Sequence, residues 1–565
     1  MITQKMTQKM LAGLPFVMGV SAGCLVAQES SQAPRPNIVV ILADDLGYSD
    51  LGCFGGEIAT PNLDRLAQNG VALTQFYNQA RCCPTRAALM TGRYPHQVGI
   101  GEMIDGYAAA ARANAGSPAY QDHLSPQSPT MAEVLRNAGY RTMMAGKWHL
   151  GKRPSEWPVR RGFDRSFVQI DGAMNYYGGD SGDGPRAPMA IDGKEWTPPR
   201  DGFYSTDAFA QHAIGFIDEA TRDHAGKPFF LYLPFNAPHW PLQAPDEDIA
   251  RYKGKYDAGW DAIREQRLAR MKQFGIVPKN QKMSPMDRGA SKPWDELASA
   301  GRVEWARRME VYAAQITRMD QAIGQVLAAL ERHGIGKNTL VIFLSDNGGA
   351  AEDPNRGQKN APIGHRDSYR GYARPWASVS NTPWKRHKVS AYEGGVSTPL
   401  LARWPAGIDA AANGKLIRDP AHVTDLFPTF VALSGARYPE TDTVKLEGRN
   451  ITAMLKGNPG DSDRLFCWEH EGNRAIRMGK WKLVSCPPAQ NTRHITAPWE
   501  LYDLEDDRIE SKDLASRQPG IVKKLAAEYD AWAARCGVIE FSKIVPEPNA
   551  GASKNKKGKG GKKKT

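Results

Sequence analysis

The feature that most constrains the fold is an alternation of short apolar runs with helical patterns. Residues 37–43 read Asn-Ile-Val-Val-Ile-Leu-Ala, a continuous apolar run typical of a strand buried on both faces. Similar runs occupy residues 140–145, 229–233 and 339–344. Strands that alternate with helices in this way predict an α/β fold, with a large mixed, mostly parallel sheet covered by helices.

The intervening segments carry helix signals. Between residues 303 and 333, apolar side chains from Met309 to Leu330 recur at spacings of three and four, which predicts one long amphipathic helix. Thr130 and Glu133 form a capping-box pattern, and Gly139 suits the end of that shorter helix. Residues 246–300 are rich in charged residues and proline, so we expect a surface insertion there that contributes nothing to the core.

The pattern changes near residue 461. Short strand signals at 474–478, 481–485 and 500–502 precede a helical pattern at about 519–535. We therefore predict a large α/β domain over residues 36–460 and a smaller α+β C-terminal domain over residues 461–545.

The two ends of the chain carry targeting and solubility signals. Residues 1–27 combine early lysines, an apolar run from Leu11 to Val20 and small residues before Ala27, which predicts a secretory signal peptide. That run is too short to cross a bilayer and no later segment is longer, so we expect no transmembrane span. The protein is then periplasmic or secreted, and attachment as a lipoprotein through Cys24 is the less favoured alternative.

Residues 546–565 predict a lysine-rich disordered tail. Seven of the net twelve positive charges lie between Gly551 and Thr565, where no acidic residue occurs. The excess of positive charge is therefore local, and it does not indicate a nucleic-acid partner. A purely solvated tail and a tail that contacts an anionic polysaccharide both remain open.

Polar residues follow four of the predicted strands at the point where each strand ends. The carboxyl ends of such strands meet at one edge of an open α/β sheet, where ligands bind. Oxygen donors of this type suit Ca²⁺ or Mg²⁺ and not zinc. The predicted metal ligands are Asp44, Asp45, Asp346 and Asn347.

Cys82 opens the segment Cys82-Cys83-Pro84-Thr85-Arg86. Pro84 suits the first turn of a helix, and the alanines and leucine that follow propagate it. Cys82 would then lie at a helix N-terminus, where free N–H groups favour an anion. A buried structural thiol, a cysteine nucleophile and an oxidised residue that holds an anion are all compatible with this position.

Basic residues and histidines accompany this segment. Hydrolysis of an anionic ester needs cations that neutralise the ester and a group that protonates the leaving oxygen. The predicted catalytic residues are Cys82, Arg86, Lys147, His149, His239 and Lys388.

The Cys-x-Pro-x-Arg string, followed by Thr91-Gly92-Arg93, resembles the signature of the type I sulfatases, a family of the alkaline phosphatase superfamily. The resemblance extends over about residues 36–450 and is greatest to the bacterial arylsulfatases. Further matching strings occur at 37–47, 60–64, 146–151, 237–239, 345–349 and 388–395. Thr85 differs from the serine that is common at that position.

The resemblance implies a cofactor set and a maturation partner. A formylglycine-generating maturase would oxidise Cys82 to Cα-formylglycine, whose hydrate is the nucleophile. A divalent cation, most often Ca²⁺ with Mg²⁺ as an alternative, would bind an oxygen of modified Cys82 together with Asp44, Asp45, Asp346 and Asn347.

The resemblance also implies roles for the basic residues. Arg86 and Lys147 would hold and polarise the hydrate. His239 and Lys388 would serve the leaving group or the sulfate oxygens. His149 would remove the proton of the second hydroxyl, so that sulfate is expelled and the aldehyde re-forms.

Two other functions remain in competition with a sulfatase that acts on a sulfated small molecule or polysaccharide. The first is a formylglycine-dependent phosphodiesterase or phosphonate monoester hydrolase, which shares the signature and the metal site. The second is a non-catalytic protein that binds sulfated glycans. The alcohol part of the substrate, aryl or carbohydrate, is not identified by the sequence because loops build that pocket.

Overall fold

The predicted apolar runs form neighbouring strands at the centre of one large sheet. In the computed structural model, β1 (Asn37–Ala43) pairs in parallel with β7 (Phe229–Pro234) on one side and with β8 (Thr339–Ser345) on the other. β3 (Arg141–Lys147) pairs in parallel with the far side of β7. Every residue of β1, β7 and β8 is buried, as expected of strands covered on both faces.

The structure describes residues 35–104, 115–178, 188–439, 441, 445–488 and 495–544. The remaining strands in these ranges are β2 Val71–Tyr77, β4 Arg165–Gln169, β5 Met189–Ile191, β6 Lys194–Trp196, β9 Arg356–Gly357, β10 Ser368–Tyr369, β11 Ser397–Arg403, β12 Lys415–Ile417, β13 Ala421–His422, β14 Leu465–His470, β15 Asn473–Met478, β16 Trp481–Ser485 and β17 Glu500–Asp503. The α-helices are α1 Pro61–Gln68, α2 Cys82–Thr91, α3 Met131–Asn137, α4 Ser205–Asp223, α5 Asp246–Ala250, α6 Gly259–Gln273, α7 Ser299–Arg332, α8 Ala373–Ser380, α9 Glu393–Val396, α10 Leu426–Ser434, α11 Thr452–Leu455, α12 Pro519–Cys536 and α13 Phe541–Ile544.

The large sheet is mixed, and its parallel strands lie at the centre. Its order is β12-β2-β11-β8-β1-β7-β3-β4-β5-β6, with β13 beside β2. The block from β8 to β4 is parallel, whereas β11, β5 and β6 run antiparallel to their neighbours. The predicted fold class is therefore confirmed.

Alternate residues of β1 enter two different hydrophobic cores. Val39 and Ile41 pack with α7 on one face, and Ile38 and Val40 pack with α2 on the other. This division follows from the two-residue period of a strand. The long helix predicted at 303–333 is α7, which begins four residues earlier at Ser299. The predicted capping box is also present, because Thr130 N–H donates to Glu133 Oε2 at 2.8 Å.

The expectation of a surface insertion at residues 246–300 is wrong. Trp260 and Met271 of α6 are fully buried in the core below the sheet. Arg267, on the same helix, is also fully buried and lies 2.6 Å from a carboxylate oxygen of Asp50. The buried positions are separated by charged residues, and one of those charged residues is itself paired in the core, so apolar periodicity did not identify this helix.

The C-terminal part contains the predicted strands and helix. β14, β15, β16 and β17 form a separate antiparallel sheet, of which β14 was not predicted. Apolar side chains of α12, including Leu525 and Trp532, cover one face of this sheet. On its other face, Phe466 and Trp468 pack with Tyr77 at the end of β2. This contact places the turn after β14 near α2.

The cysteines of the described part are present as free thiols, so a Cys467–Cys486 pair, which the sequence left open, does not form. None of the helices in the described ranges is long and apolar enough to cross a membrane. The predicted signal peptide, Cys24 and the lysine-rich tail lie outside the described residues.

Candidate active site

Side chains that follow β1 and β8 meet at the carboxyl edge of the sheet. The Asp45 N–H donates to Asp346 Oδ1 at 3.2 Å, and the Asn347 amide donates to Asp45 Oδ1 at 2.7 Å. Asp45 has a φ of +68°, in the left-handed region that non-glycine residues rarely adopt. Backbone strain of this kind is concentrated at functional sites. The structure thus brings together the four predicted oxygen ligands.

Each carboxylate of this group contacts a cation that the sequence analysis also selected. Lys147 Nζ lies 2.6 Å from Asp44 Oδ2. Arg86 Nη2 lies 2.8 Å from Asp346 Oδ2, and Lys388 Nζ lies 2.8 Å from Asp45 Oδ1. These side chains are at most 2 % exposed. Buried charges are stable only when they are paired, so the six residues form one interdependent cluster.

The pKa of Asp44 shows how strongly the cations of this cluster act on its carboxylates. Burial alone raises the pKa of a carboxyl group because it disfavours the charged form. The positive charges of Lys147 and Arg86 outweigh burial and hold the pKa of Asp44 well below its usual range. Asp44 is therefore a carboxylate at neutral pH.

Two oxygens of the cluster fit a hard cation. Asp44 Oδ1 and Asn347 Oδ1 are buried and accept no hydrogen bond within the described part of the chain. Burial and the nearby Asp44 carboxylate also raise the pKa of Asp346, against the effect of Arg86. A divalent cation would use both free oxygens and relieve the repulsion between the two carboxylates. The donor set therefore fits Ca²⁺ or Mg²⁺.

Cys82 is the first residue of α2, as the sequence predicts. Burial would raise the pKa of its thiol, but Lys147, Lys388 and a hydrogen bond with His149 lower it to about 5. The environment of residue 82 therefore stabilises negative charge on its side chain. Arg86 is directed elsewhere, because its guanidinium donates to Asp346 and to the Lys147 carbonyl oxygen.

His239 follows β7 and faces the same cluster. Its Nδ1 lies 2.6 Å from the carbonyl oxygen of Trp240, which can only accept, so Nδ1 carries a proton. Its Nε2 lies 3.5 Å from Asp45 Oδ2. Burial lowers the pKa of His239, although the Asp45 carboxylate opposes this shift. Neutral His239 therefore presents an unprotonated Nε2 to the site.

Two further charged side chains reach the cluster that the sequence analysis did not select. Glu352 Oε2 lies 3.4 Å from Lys388 Nζ, and Glu352 Oε1 lies 2.8 Å from Arg81 Nη1. Burial opposes ionisation of Glu352, but Lys388 and Arg81 hold its pKa well below the usual range. Arg81 precedes the signature cysteine directly, which was a usable signal. Glu352 lies in a segment without strand or helix periodicity, and nothing in the sequence marked it.

A buried cluster of cations and carboxylates around the N-terminus of α2, at the carboxyl edge of an α/β sheet, defines a hydrolase of anionic esters. The sequence profile of the sulfatase family matches residues 36–436. The chain belongs to the sulfatase family, within the alkaline phosphatase-like superfamily, and is a sulfuric ester hydrolase.

Individual relatives agree with this assignment. The chain is 36 % identical to an arylsulfatase of Klebsiella aerogenes over 427 residues, which cover 72 % of this chain and 88 % of that protein. It is 34 % identical to an uncharacterised sulfatase of Schizosaccharomyces pombe, over 93 % of this chain and 98 % of that one. The crystal structure of Ps i-CgsB in complex with k-i-k-neocarrahexaose is similar, with a TM-score of 0.65 and 28 % identity over 89 % of this chain and 94 % of that one.

Proposed function

We propose that this protein hydrolyses sulfate monoesters through a formylglycine formed from Cys82, with a hard divalent cation at the carboxyl edge of the sheet. The observation that carries the proposal is the position of Cys82. It begins a helix, lies in the field of Lys147 and Lys388, and forms a hydrogen bond with His149. A thiol with a purely structural role would not require two lysines and a histidine around it.

The cation would be held by Asp44, Asp45, Asp346 and Asn347, and it would supply a Lewis acid that draws charge from the ester oxygens. The hydrated aldehyde at position 82 would provide one hydroxyl that attacks sulfur and a second whose deprotonation releases sulfate.

The basic residues bind and neutralise the ester. Lys388 is assigned to a sulfate oxygen, because the carboxylates of Asp45 and Glu352 hold its ammonium group beside the cation cluster. Lys147 lies against Asp44 and acts on the side chain of residue 82. Arg86 holds the Asp346 carboxylate in position from behind. Electrostatic groups fixed in this way stabilise developing charge without reorganising.

Two histidines handle protons. His149 forms a hydrogen bond with the side chain of residue 82 and is therefore placed to accept a proton from it. His239 has Nδ1 occupied by the Trp240 carbonyl, so the proton that it can give or take is at Nε2. We assign Nε2 of His239 to the leaving oxygen, to which it would donate a proton that it first takes up from solvent.

Paired substrates test the reaction class. The purified protein should hydrolyse 4-nitrophenyl sulfate with a kcat/KM at least about 100-fold above that for the matched phosphate diester and phenylphosphonate. A preference for either phosphorus ester would instead establish the formylglycine phosphodiesterase or phosphonate hydrolase alternative. Tight binding of a sulfated glycan without turnover of any ester would identify a non-catalytic binding protein.

We further propose a carbohydrate sulfate as the natural substrate and an extracytoplasmic location. Support for the first comes from the similarity to Ps i-CgsB, whose structure contains a neocarrahexaose. Support for the second is the predicted signal peptide at residues 1–27. A formylglycine-generating maturase is then a required partner, and expression with and without such an enzyme should change the specific activity in proportion to the modified fraction.

A further inference from the structure

Two hydrogen-bond donors from separate segments hold the carboxylate of Glu352 in an ion pair with Lys388, the proposed sulfate-binding lysine. Arg81 Nη1 donates to Oε1 at 2.8 Å, and Trp240 Nε1 donates to Oε2 at 3.1 Å. Lys388 Nζ lies 3.4 Å from the same Oε2. Glu352 lies in an irregular loop, so these contacts fix its position. A carboxylate held at one place by two hydrogen bonds and an ion pair is a rigid recognition element.

Exposure shows which of these groups a substrate meets first. The side chains of Lys388 and His239 are 2 % and 6 % exposed. Those of Arg81 and Glu352 are 15 % and 25 % exposed, and Trp240 is also partly exposed. An ester whose sulfate reaches Lys388 from solvent therefore leaves its alcohol part beside Glu352 and Trp240.

We propose that Glu352, positioned by Arg81 and Trp240, is a specificity-determining residue that selects sulfate esters of neutral, hydroxyl-bearing alcohols. The substrate class is then a carbohydrate sulfate with no second anionic group next to the scissile sulfate. This inference rests on the proposed sulfatase function. It narrows the range of substrates, because any aryl or carbohydrate sulfate with an acid group next to the scissile sulfate would be disfavoured.

The chemistry of the three side chains supports this class. An ionised carboxylate accepts hydrogen bonds from sugar hydroxyls and repels a second sulfate or carboxylate at the same place. Arg81 is less exposed than Glu352 (15 % against 25 %), so an alcohol part that arrives from solvent meets the carboxylate before it meets the guanidinium. Trp240 packs edge to face with Tyr369, with ring centroids 5.7 Å apart, and supplies an apolar surface for a ring.

The test compares two substrates of nearly equal shape. They are 4-nitrophenyl sulfates with either a carboxamide or a carboxylate next to the sulfate. The wild-type protein should prefer the carboxamide by at least about tenfold in kcat/KM at low salt, and the preference should shrink as salt screens the charges. Glu352→Gln keeps the shape and removes the charge, so its ratio should approach one.

A matched control is Glu331→Gln, whose carboxylate is 56 % exposed near the end of α7 and pairs with Arg403. It removes one negative charge at the opposite edge of the sheet and should keep the wild-type ratio. Trp240→Phe keeps a ring but removes one donor to Glu352, and it should lower the ratio partly.

Equal kcat/KM for the two esters in the wild type, or a preference for the carboxylate, would overturn the inference without reference to any variant. An unchanged ratio in folded Glu352→Gln would also overturn it. A different result is that the protein hydrolyses neither ester and does not hydrolyse plain 4-nitrophenyl sulfate. That result would contradict the proposed sulfatase function itself.

Discussion

Lys147 Nζ lies 2.6 Å from Asp44 Oδ2, and both side chains are completely shielded from solvent. Arg86 with Asp346 and Lys388 with Asp45 repeat this arrangement around the same point. Each of the three acidic side chains thus lies against a cation. A divalent cation then makes the site positive, which suits an anionic ester.

Lys147→Met should remove the partner of Asp44 and leave a buried carboxylate unpaired. Loss of one partner of a buried pair costs about 3–5 kcal/mol of unfolding free energy. The cost should be smaller with Ca²⁺ present, because the cation replaces part of the lost charge. Urea denaturation of the variant with and without Ca²⁺ measures both effects.

Turnover of 4-nitrophenyl sulfate by Lys147→Met should fall at least about 100-fold, as for loss of one preorganised electrostatic group. The control is Lys480→Met, since Lys480 pairs with Asp503 at the surface and should contribute little to either property. Stability and turnover equal to those of the wild type in Lys147→Met would show that the buried pair is dispensable.

Asp346→Asn tests the cation site. The substitution keeps a polar side chain but removes one carboxylate charge and the partner of Arg86. We expect about one equivalent of Ca²⁺ or Mg²⁺ in the wild type by elemental analysis, and metal and turnover should be lost together in the variant. Asp218→Asn, a change at a carboxylate that is 41 % exposed, should keep both. Zinc in the active enzyme, or full activity without metal, would contradict the assignment.

The pH dependence of stability should include a contribution from His422. Burial lowers its pKa to about 3, and the charge of Arg464 adds to the shift. A histidine with a depressed folded-state pKa takes up a proton on unfolding, so stability is complete above about pH 6.5 and falls as the pH decreases towards 3. At pH 4 this one group should cost roughly 3 kcal/mol.

The measurement is the free energy of unfolding between pH 7 and pH 4. Other acidic groups also contribute to the change of unfolding free energy with pH, so the comparison is with His422→Gln. This variant should take up close to one proton fewer on unfolding than the wild type. His365→Gln, at a half-exposed histidine, should keep the wild-type slope. If His422→Gln also kept that slope, the histidine would not be titrating as described.

The central strands and the site at their ends could be predicted because both follow from local patterns. β1 is a continuous apolar run, and Asp44 and Asp45 follow it directly. Parallel strands then bring such residues to one edge regardless of their separation in sequence. The position of Cys82 at a helix start followed in the same way from Pro84 and the helix-forming residues after it.

Burial of charged residues was the feature that local patterns missed. Arg267 is fully buried because Asp50 and Glu57, more than two hundred residues away, provide its partners. Glu352 reaches the site because Arg81 and Lys388, on two other segments, hold it. The energy of such groups depends on partners distant in sequence, so composition alone assigns them to the surface.

The central claim is that Cys82 is oxidised to formylglycine. Two substitutions test the need for this residue. Cys82→Ala should abolish turnover, because no other residue can supply the hydrate. Cys83→Ala should retain most turnover, because Cys83 faces the apolar core beside α2 and is not at the cation cluster. Equal loss in both variants would indicate a structural role for this segment.

Mass analysis of the peptide that contains residues 82 and 83, taken from an active preparation, tests the claim most directly. The account predicts formylglycine at position 82 and an unmodified cysteine at position 83, with a modified fraction that matches the specific activity. An unmodified thiol at position 82 in fully active enzyme would contradict it.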